Sequence, residues 1–306
     1  MTQIRPANEN DFEAIAAVLE VCWPNQTRDV EEMRQDATGL EPHLRPIFWL
    51  AEIEGKAIGI AEVYRDLGSY DPERWSVEVS VLPDHRRGGL GSALYEATLD
   101  HLQGHTVSSI TCRVHEADEV AVRFAQQRRY VETKRDFLSE LSLAAAEFDP
   151  IEIEGISILS AEQIDSESFR IGLHGLFEEI RRDVPRTTPP TPLSLEFFLA
   201  NILDHHLYSM PGTHIALDGM ELVGFTGSYR AMEPGVIDQW LTGVRRPWRG
   251  KGIAKALKVA GIRWARGAGF HTIRTDNDSR NDAMLAINTS LGFERKAGLI
   301  WMERRE

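Results

Sequence analysis

The stretch Val244–Lys258, VRRPWRGKGIAKALK, joins the end of an apolar strand to the start of an amphipathic helix through a glycine turn. It has a twin. In Val81–Tyr95, VLPDHRRGGLGSALY, a Val again stands five residues before an Arg that opens the pattern Arg-x-x-Gly-x-(Gly or Ala). The pattern is Arg86, Gly89 and Gly91 in the first copy and Arg249, Gly252 and Ala254 in the second. A helix start leaves backbone N–H groups without internal partners, and together with the helix dipole they favour an anion. Glycine lets the chain come close to such a ligand. In the second copy Arg245, Arg246, Arg249, Lys251, Lys255 and Lys258 add six positive groups with no acid among them, which suits a polyphosphate.

The repetition extends beyond the turns. AEIEGKAIGIAEVYR (Ala51–Arg65) matches ALDGMELVGFTGSYR (Ala216–Arg230), so that Gly59, Tyr64 and Arg65 are answered by Gly224, Tyr229 and Arg230. These pairs are offset by 165 residues, and Arg86 and Arg249 by 163, which means a duplication with one short loop change. Each half reads as a helical stretch, two strands around a Gly-containing turn, a third apolar strand, the glycine turn, a helix, a strand and a closing helix–strand. The joint is expected near LSLAAAEFDPIEIEG, where Asp149 and Pro150 interrupt the pattern, giving domains 1–147 and 148–306. DVPRTTPPTPLS (Asp183–Ser194), with four prolines, is too Pro-rich for a helix or central strand and is expected as an ordered loop bordering a binding site.

A chain of 306 residues has room for about two domains, and 42% apolar with 26% charged residues is a soluble globular composition. A formal charge of −13 argues against nucleic-acid affinity and favours small cationic partners. Cys22 and Cys112 are the only cysteines, too few for a disulfide framework or a Cys-rich zinc site, which fits a reducing cytoplasm. The polar start MTQIRPANENDFEAIAAVLE enters an amphipathic helical pattern rather than a secretory segment, so a cytoplasmic protein without membrane attachment is expected. His205, His206 and His214 lack a carboxylate or Cys at ligand spacing, and no metal is expected. A Walker loop needs Gly-Lys-Ser/Thr, which neither copy has, and the dinucleotide fingerprint fails at Leu94 and Leu257.

A strand, Arg/Gln-x-x-Gly-x-Gly/Ala and an amphipathic helix together resemble the acyl-coenzyme A motif of the GNAT acyltransferase superfamily. TDNDSRNDAMLAINTSLGFE (Thr275–Glu294) is similar to that superfamily's closing Asn…Gly-Phe segment. The tandem arrangement resembles mycothiol synthase and its relatives. The resemblance implies an α/β (α+β) fold of two tandem domains, each a mixed, mostly antiparallel sheet whose central strands splay into a slot for pantetheine. It implies acetyl-CoA as cofactor and a small-molecule amine as acceptor, in a monomer or homodimer. It assigns backbone pairing with the cofactor to Val81, Leu241, Thr242 and Val244, with Val244 also polarising the thioester carbonyl. Pyrophosphate falls to the turns led by Arg86 and Arg249: Arg87, Gly88, Gly89, Leu90, Gly91 and Ser92 in one copy, and Gly250, Lys251, Gly252, Ile253, Ala254 and Lys255 in the other. Asn281 matches an Asn that touches the cofactor.

Some members carry a catalytic Glu six residues before the strand valine. Counting back from Val244 gives Asp238, which strand alternation is expected to place on the same face; the same count from Val81 gives Trp75, which cannot accept a proton. Glu78 lies three residues back and so on the other face. The acid Tyr of many relatives would fall at Asn288, which is no acid near neutral pH. The second half is therefore expected to catalyse and the first to keep a cofactor-type loop with less chemistry or none. Two other functions fit the same anion loops: an acyl-CoA sensing or scaffolding module without turnover, and a nucleotide-binding regulator.

Overall fold

The computed structural model describes residues 2–23, 30–144 and 146–306. They form two compact units, Met1–Thr133 with Ile300–Glu306, and Lys134–Leu299. The first unit orders strands β1 (Thr2–Pro6), β2 (Ile47–Ile53), β3 (Lys56–Tyr64), β4 (Arg74–Val81) and β5 (Ser109–His115) in chain sequence. The first four run antiparallel, and β5 lies parallel to β4. Helices α1 (Phe12–Cys22), α2 (Val30–Gly39), α3 (Leu90–Leu102) and α4 (Glu119–Gln127) accompany them. In the second unit β6 (Val131–Ser142) precedes β7 (Ile156–Ser160), β8 (His214–Asp218), β9 (Glu221–Arg230), β10 (Val236–Val244) and β11 (Thr272–Asp278). Their spatial order is β6-β11-β10-β9-β8-β7, with only β10 and β11 parallel. Its helices are α5 (Glu167–Arg181), α6 (Leu195–Phe198), α7 (Ile253–Gly267) and α8 (Asp282–Ser290); the last strand, β12 (Glu294–Arg305), belongs to this unit up to Leu299 and to the first from Ile300.

The expected joint at 147/148 lies inside the second unit. Residues 136–142 of β6 pair with β11, and Leu141, Leu143 and Ala146 share a core with Ile237, Val259 and Ile262. Ile300 and Met302 are buried in the core of the first unit beside Trp75, Val81 and Leu94. The break in sequence pattern at Asp149–Pro150 marks a loop. The apolar residues before it are claimed by the second unit because that is where they lose water.

The repeated glycines have one physical reason in both units. A Cβ on Gly59 would lie 3.1 Å from the Ser80 carbonyl oxygen and 3.2 Å from Leu94 of α3. On Gly224 it would lie 3.0 Å from the Gly243 carbonyl oxygen and 3.2 Å from Leu257 of α7. Each glycine therefore lets the helix after the turn settle onto the sheet. The parallel pairs then come apart. β4 and β5 pair only through Arg74, Trp75 and Ser76, and β10 and β11 only through Val236, Ile237 and Asp238. Beyond Ser76 and Asp238 the strands splay, as the family resemblance implied.

Candidate active site

Both turns are built alike. Gly89 (φ 87°) and Gly252 (φ 83°) are the left-handed N-caps of α3 and α7, a conformation that disfavours any side chain. A Cβ would meet nothing within 4 Å at Gly88, Gly89 or Gly250, and only Ile153 at 3.9 Å from Gly252. That open space above unpaired helix amides is what an anion requires. Arg87, the counterpart of Gly250, itself sits at φ 64°. Farther into the helices, Ser92 accepts from Arg128 at 2.7 Å, Leu90 packs on the core, Ile253 is buried, and Ala254 packs beside it.

The motif arginines have a structural task at the turn. Arg86 Nε donates to the Val81 carbonyl at 2.8 Å, and Arg249 Nε to the Val244 carbonyl at 2.9 Å. Each guanidinium thus ties the strand end to the turn, and those two carbonyls are taken by side chains of the protein itself. Asp118, the N-cap of α4, accepts from Arg86 at 3.2 Å, and its counterpart Asn281 caps α8 through the Met284 amide at 3.3 Å. Two further cations of the second copy, Arg245 and Arg246, are also engaged. Asp183, the first residue of the Pro-rich loop, holds Arg246 at 3.0 Å and Arg249 at 2.5 Å, and these guanidinium bonds drive its carboxyl well below the usual range. Arg245 pairs with Glu179 at 3.2 Å and Glu221 at 2.9 Å. Lys251 and Lys255 remain beside the turn.

Lys258 does not reach the turn at all. It is fully buried beneath the sheet, where Nζ donates to Gln239 Oε1 at 2.8 Å and lies 5.4 Å from the Phe293 ring centroid. A Cβ on Gly261 would lie 2.6 Å from Gln239 Nε2, so α7 carries a glycine where this amide needs room. On the neighbouring arm Asn288, 2% exposed, donates from Nδ2 to Asn277 Oδ1 at 2.6 Å. This polar cluster escaped the sequence reading. Helical spacing held the signal, since Lys258 stands four residues after Ala254 and four before the buried Ile262.

Burial pushes the Lys258 ammonium down to about 7. Unfolded Lys titrates near ~10.4, so between the two values the unfolded chain binds more protons and stability rises with pH; below about 7 both states are protonated and the full penalty stands. Relative to Lys258→Met, the unmodified protein is expected to gain ~2–3 kcal/mol between about pH 7 and about pH 9, at ~1.4 kcal/mol per unit. Urea midpoints of the two proteins check this, and parallel pH profiles would refute it.

The register of β10 revises the placement of Asp238. Gln239 faces Ser228 but Thr242 faces Thr226, so one extra residue sits in β10 opposite Gly227. The bulge turns the strand over. Ile237 and Val244 both face α7, whereas Asp238 lies on the opposite face with its cross-strand partner Tyr229 and with Arg274. Arg274 Nε donates to Asp238 Oδ1 at 2.9 Å, and Glu233 accepts from Arg274 at 3.4 Å. Desolvation outweighs the guanidinium and raises the Asp238 carboxyl above its ordinary value. Thr242 Oγ1 lies 2.7 Å from Thr226 Oγ1, and Leu241 packs with the apolar residues of α5 and α6.

In the first unit β3 and β4 pair without a bulge, and Tyr64, the repeat partner of Tyr229, faces Ser76. Ser76 therefore occupies the place of Asp238, and its hydroxyl lies 2.9 Å from that of Thr111. Trp75 points into the core with the Arg65 guanidinium 3.6 Å from its ring. Glu78 is held by Arg113 Nη2 at 2.9 Å and by the Tyr64 hydroxyl at 3.1 Å. Around the splay of β4 and β5 lies a cavity of about 260 Å³ that runs from Arg86, Arg87, Gly89 and Ser92 past Val81 to Tyr95 and Tyr130.

Two units, each with a splayed parallel strand pair and a left-handed glycine at the head of the helix after the first strand of that pair, define an acyltransferase architecture. The sequence model of the acetyltransferase (GNAT) family matches residues 12–129 and again 173–293, and the chain belongs to that family. It is similar to the mycothiol acetyltransferase of Nocardiopsis dassonvillei, at 28% identity over 276 residues, covering 80% of this chain and 78% of the relative. Among solved structures, a GCN5-related N-acetyltransferase from Sphaerobacter thermophilus aligns with TM-score 0.73 and 21% identity over 99% of this chain and 95% of the other. A tandem GNAT protein from the clavulanic acid biosynthesis pathway aligns with TM-score 0.73 and 18% identity over 100% and 98%. These two likenesses establish the shared fold, tandem in the second case.

Proposed function

We propose that the protein is an acetyl-CoA-dependent N-acetyltransferase that acetylates the amine of a small molecule, and that the second unit does the chemistry. One observation carries this reading. The β10–β11 pairing ends at Asp238 and Arg274, so the carboxylate stands where the slot opens, below the glycine turn at Gly252. The amine nitrogen attacks the thioester carbonyl, the C–N bond forms and the C–S bond breaks. Asp238 takes the amine proton through a water, and the departing thiolate takes a proton from solvent, since Asn288 cannot supply one. The strand-end amide near Val244 would polarise the carbonyl, and the amides of Gly250–Lys255 would hold the diphosphate. The first unit would hold acyl-CoA in its cavity without turnover, because Ser76 stands where the base is needed and Glu78 is engaged by Arg113.

Thiol release from acetyl-CoA over a panel of primary amines tests the reading. Turnover with at least one amine is the expected result. Binding of acetyl-CoA with no transfer to any acceptor would favour a sensing module, and stabilisation by ATP but not by coenzyme A would favour a nucleotide-binding regulator.

A further inference from the structure

The face that carries Asp238 also carries an aromatic wall that proton transfer does not require. The extra residue of the β10 bulge sends two successive side chains, Trp240 and Leu241, to this side. Leu241 enters the apolar cluster of α5 and α6, and Trp240 is left 38% exposed. The indole is fixed in place. A Cβ on Gly227 would lie 3.2 Å from Trp240 Cε3, so the ring rests against the bare backbone of β9. Phe177 of α5 supports it at 5.5 Å and 31°, and Tyr229 meets it edge-on at 5.5 Å and 89°. Tyr208 backs Tyr229 at 5.0 Å. Tyr229 is the cross-strand partner of Asp238, which puts the wall and the candidate base side by side. The charges here favour a cation: Asp238 and Glu233 together outnumber the guanidinium of Arg274 that both engage.

We propose that Trp240 selects the acyl acceptor, and that the acceptor is a primary amine carried on a ring whose apolar face stacks on the indole while its ammonium meets Asp238. The inference rests on the second unit being the acetyltransferase. A rigid ring matches a flat, immobilised indole and loses little rotamer freedom on stacking, whereas a linear chain covers less of the indole and must be ordered along its length. Arylalkylamines and aminosugars both present such a face.

The full chain is assayed with phenethylamine, glucosamine and 1,4-diaminobutane. One or both ring amines are expected to give a higher kcat/KM than the linear diamine, and which one it is separates the two sources. Trp240→Ala is expected to lower the ratio of ring to linear kcat/KM about tenfold, with Trp240→Phe restoring most of it. A linear diamine preferred by the unmodified protein, or a Trp240→Ala effect equal on all acceptors, overturns the proposal. Calorimetric titration of the same amines into protein saturated with coenzyme A, which has no acetyl group to transfer, gives a second readout that needs no turnover. Trp240-dependent binding of ring amines supports the inference even if Asp238→Asn retains activity and the base is found elsewhere; absence of such binding overturns it.

Discussion

Exchanging Asp238 for asparagine is expected to lower kcat by about 10²–10⁴ while leaving acetyl-CoA affinity nearly unchanged, because general-base transfer at a positioned carboxylate contributes on that order. The amide keeps an oxygen for Arg274 Nε, so the guanidinium, 5% exposed, retains a hydrogen-bond acceptor, and Glu233 remains within 3.4 Å. The fold should therefore survive, and a melting curve close to that of the unmodified protein separates lost chemistry from lost structure. The pH dependence carries a sign. Burial raises the Asp238 carboxyl, so the acid limb of the activity profile lies above the ordinary carboxylate range, and activity falls as pH drops through it. In the variant this limb disappears. At high pH, where free amine is abundant, the gap between the two proteins narrows. A variant with unaltered kcat and an unchanged acid limb would remove Asp238 from the reaction.

Placing valine at Gly252 is expected to abolish the second cofactor site, weakening acetyl-CoA there on the order of 100-fold or more. Two effects add. A β-branched residue at φ 83° pays ~1–2 kcal/mol of steric strain. Its Cβ also stands in the space that the diphosphate would fill against the first amides of α7, and about 1.4 kcal/mol corresponds to each factor of ten. Because the first unit keeps its own turn at Gly89, calorimetry should show binding stoichiometry falling from two to one rather than to zero. Gly89→Val should remove the other site and spare turnover. Undiminished affinity and stoichiometry in Gly252→Val would refute the phosphate role of the turn.

The sequence by itself determined the features that depend on local backbone. Gly89 and Gly252 announced turns that a ligand can approach because glycine carries no side chain, and matched offsets announced two copies because a duplicated chain repeats its turns. The tandem arrangement followed from that repetition, and the splayed strands from the family resemblance that the motifs carry. Tertiary structure alone decided what depends on approach across the chain. Asp183, Glu179 and Glu221 engage half of the cations that looked available for phosphate, and they lie far from that segment in sequence. The bulge at Gln239–Thr242 moved Asp238 to the opposite face from Val244, because strand parity holds only while every residue is paired. The division between units was likewise settled by burial: Leu141, Leu143 and Ala146 joined one core and Ile300 and Met302 the other, where their side chains leave water, a choice made between surfaces that no local pattern contains.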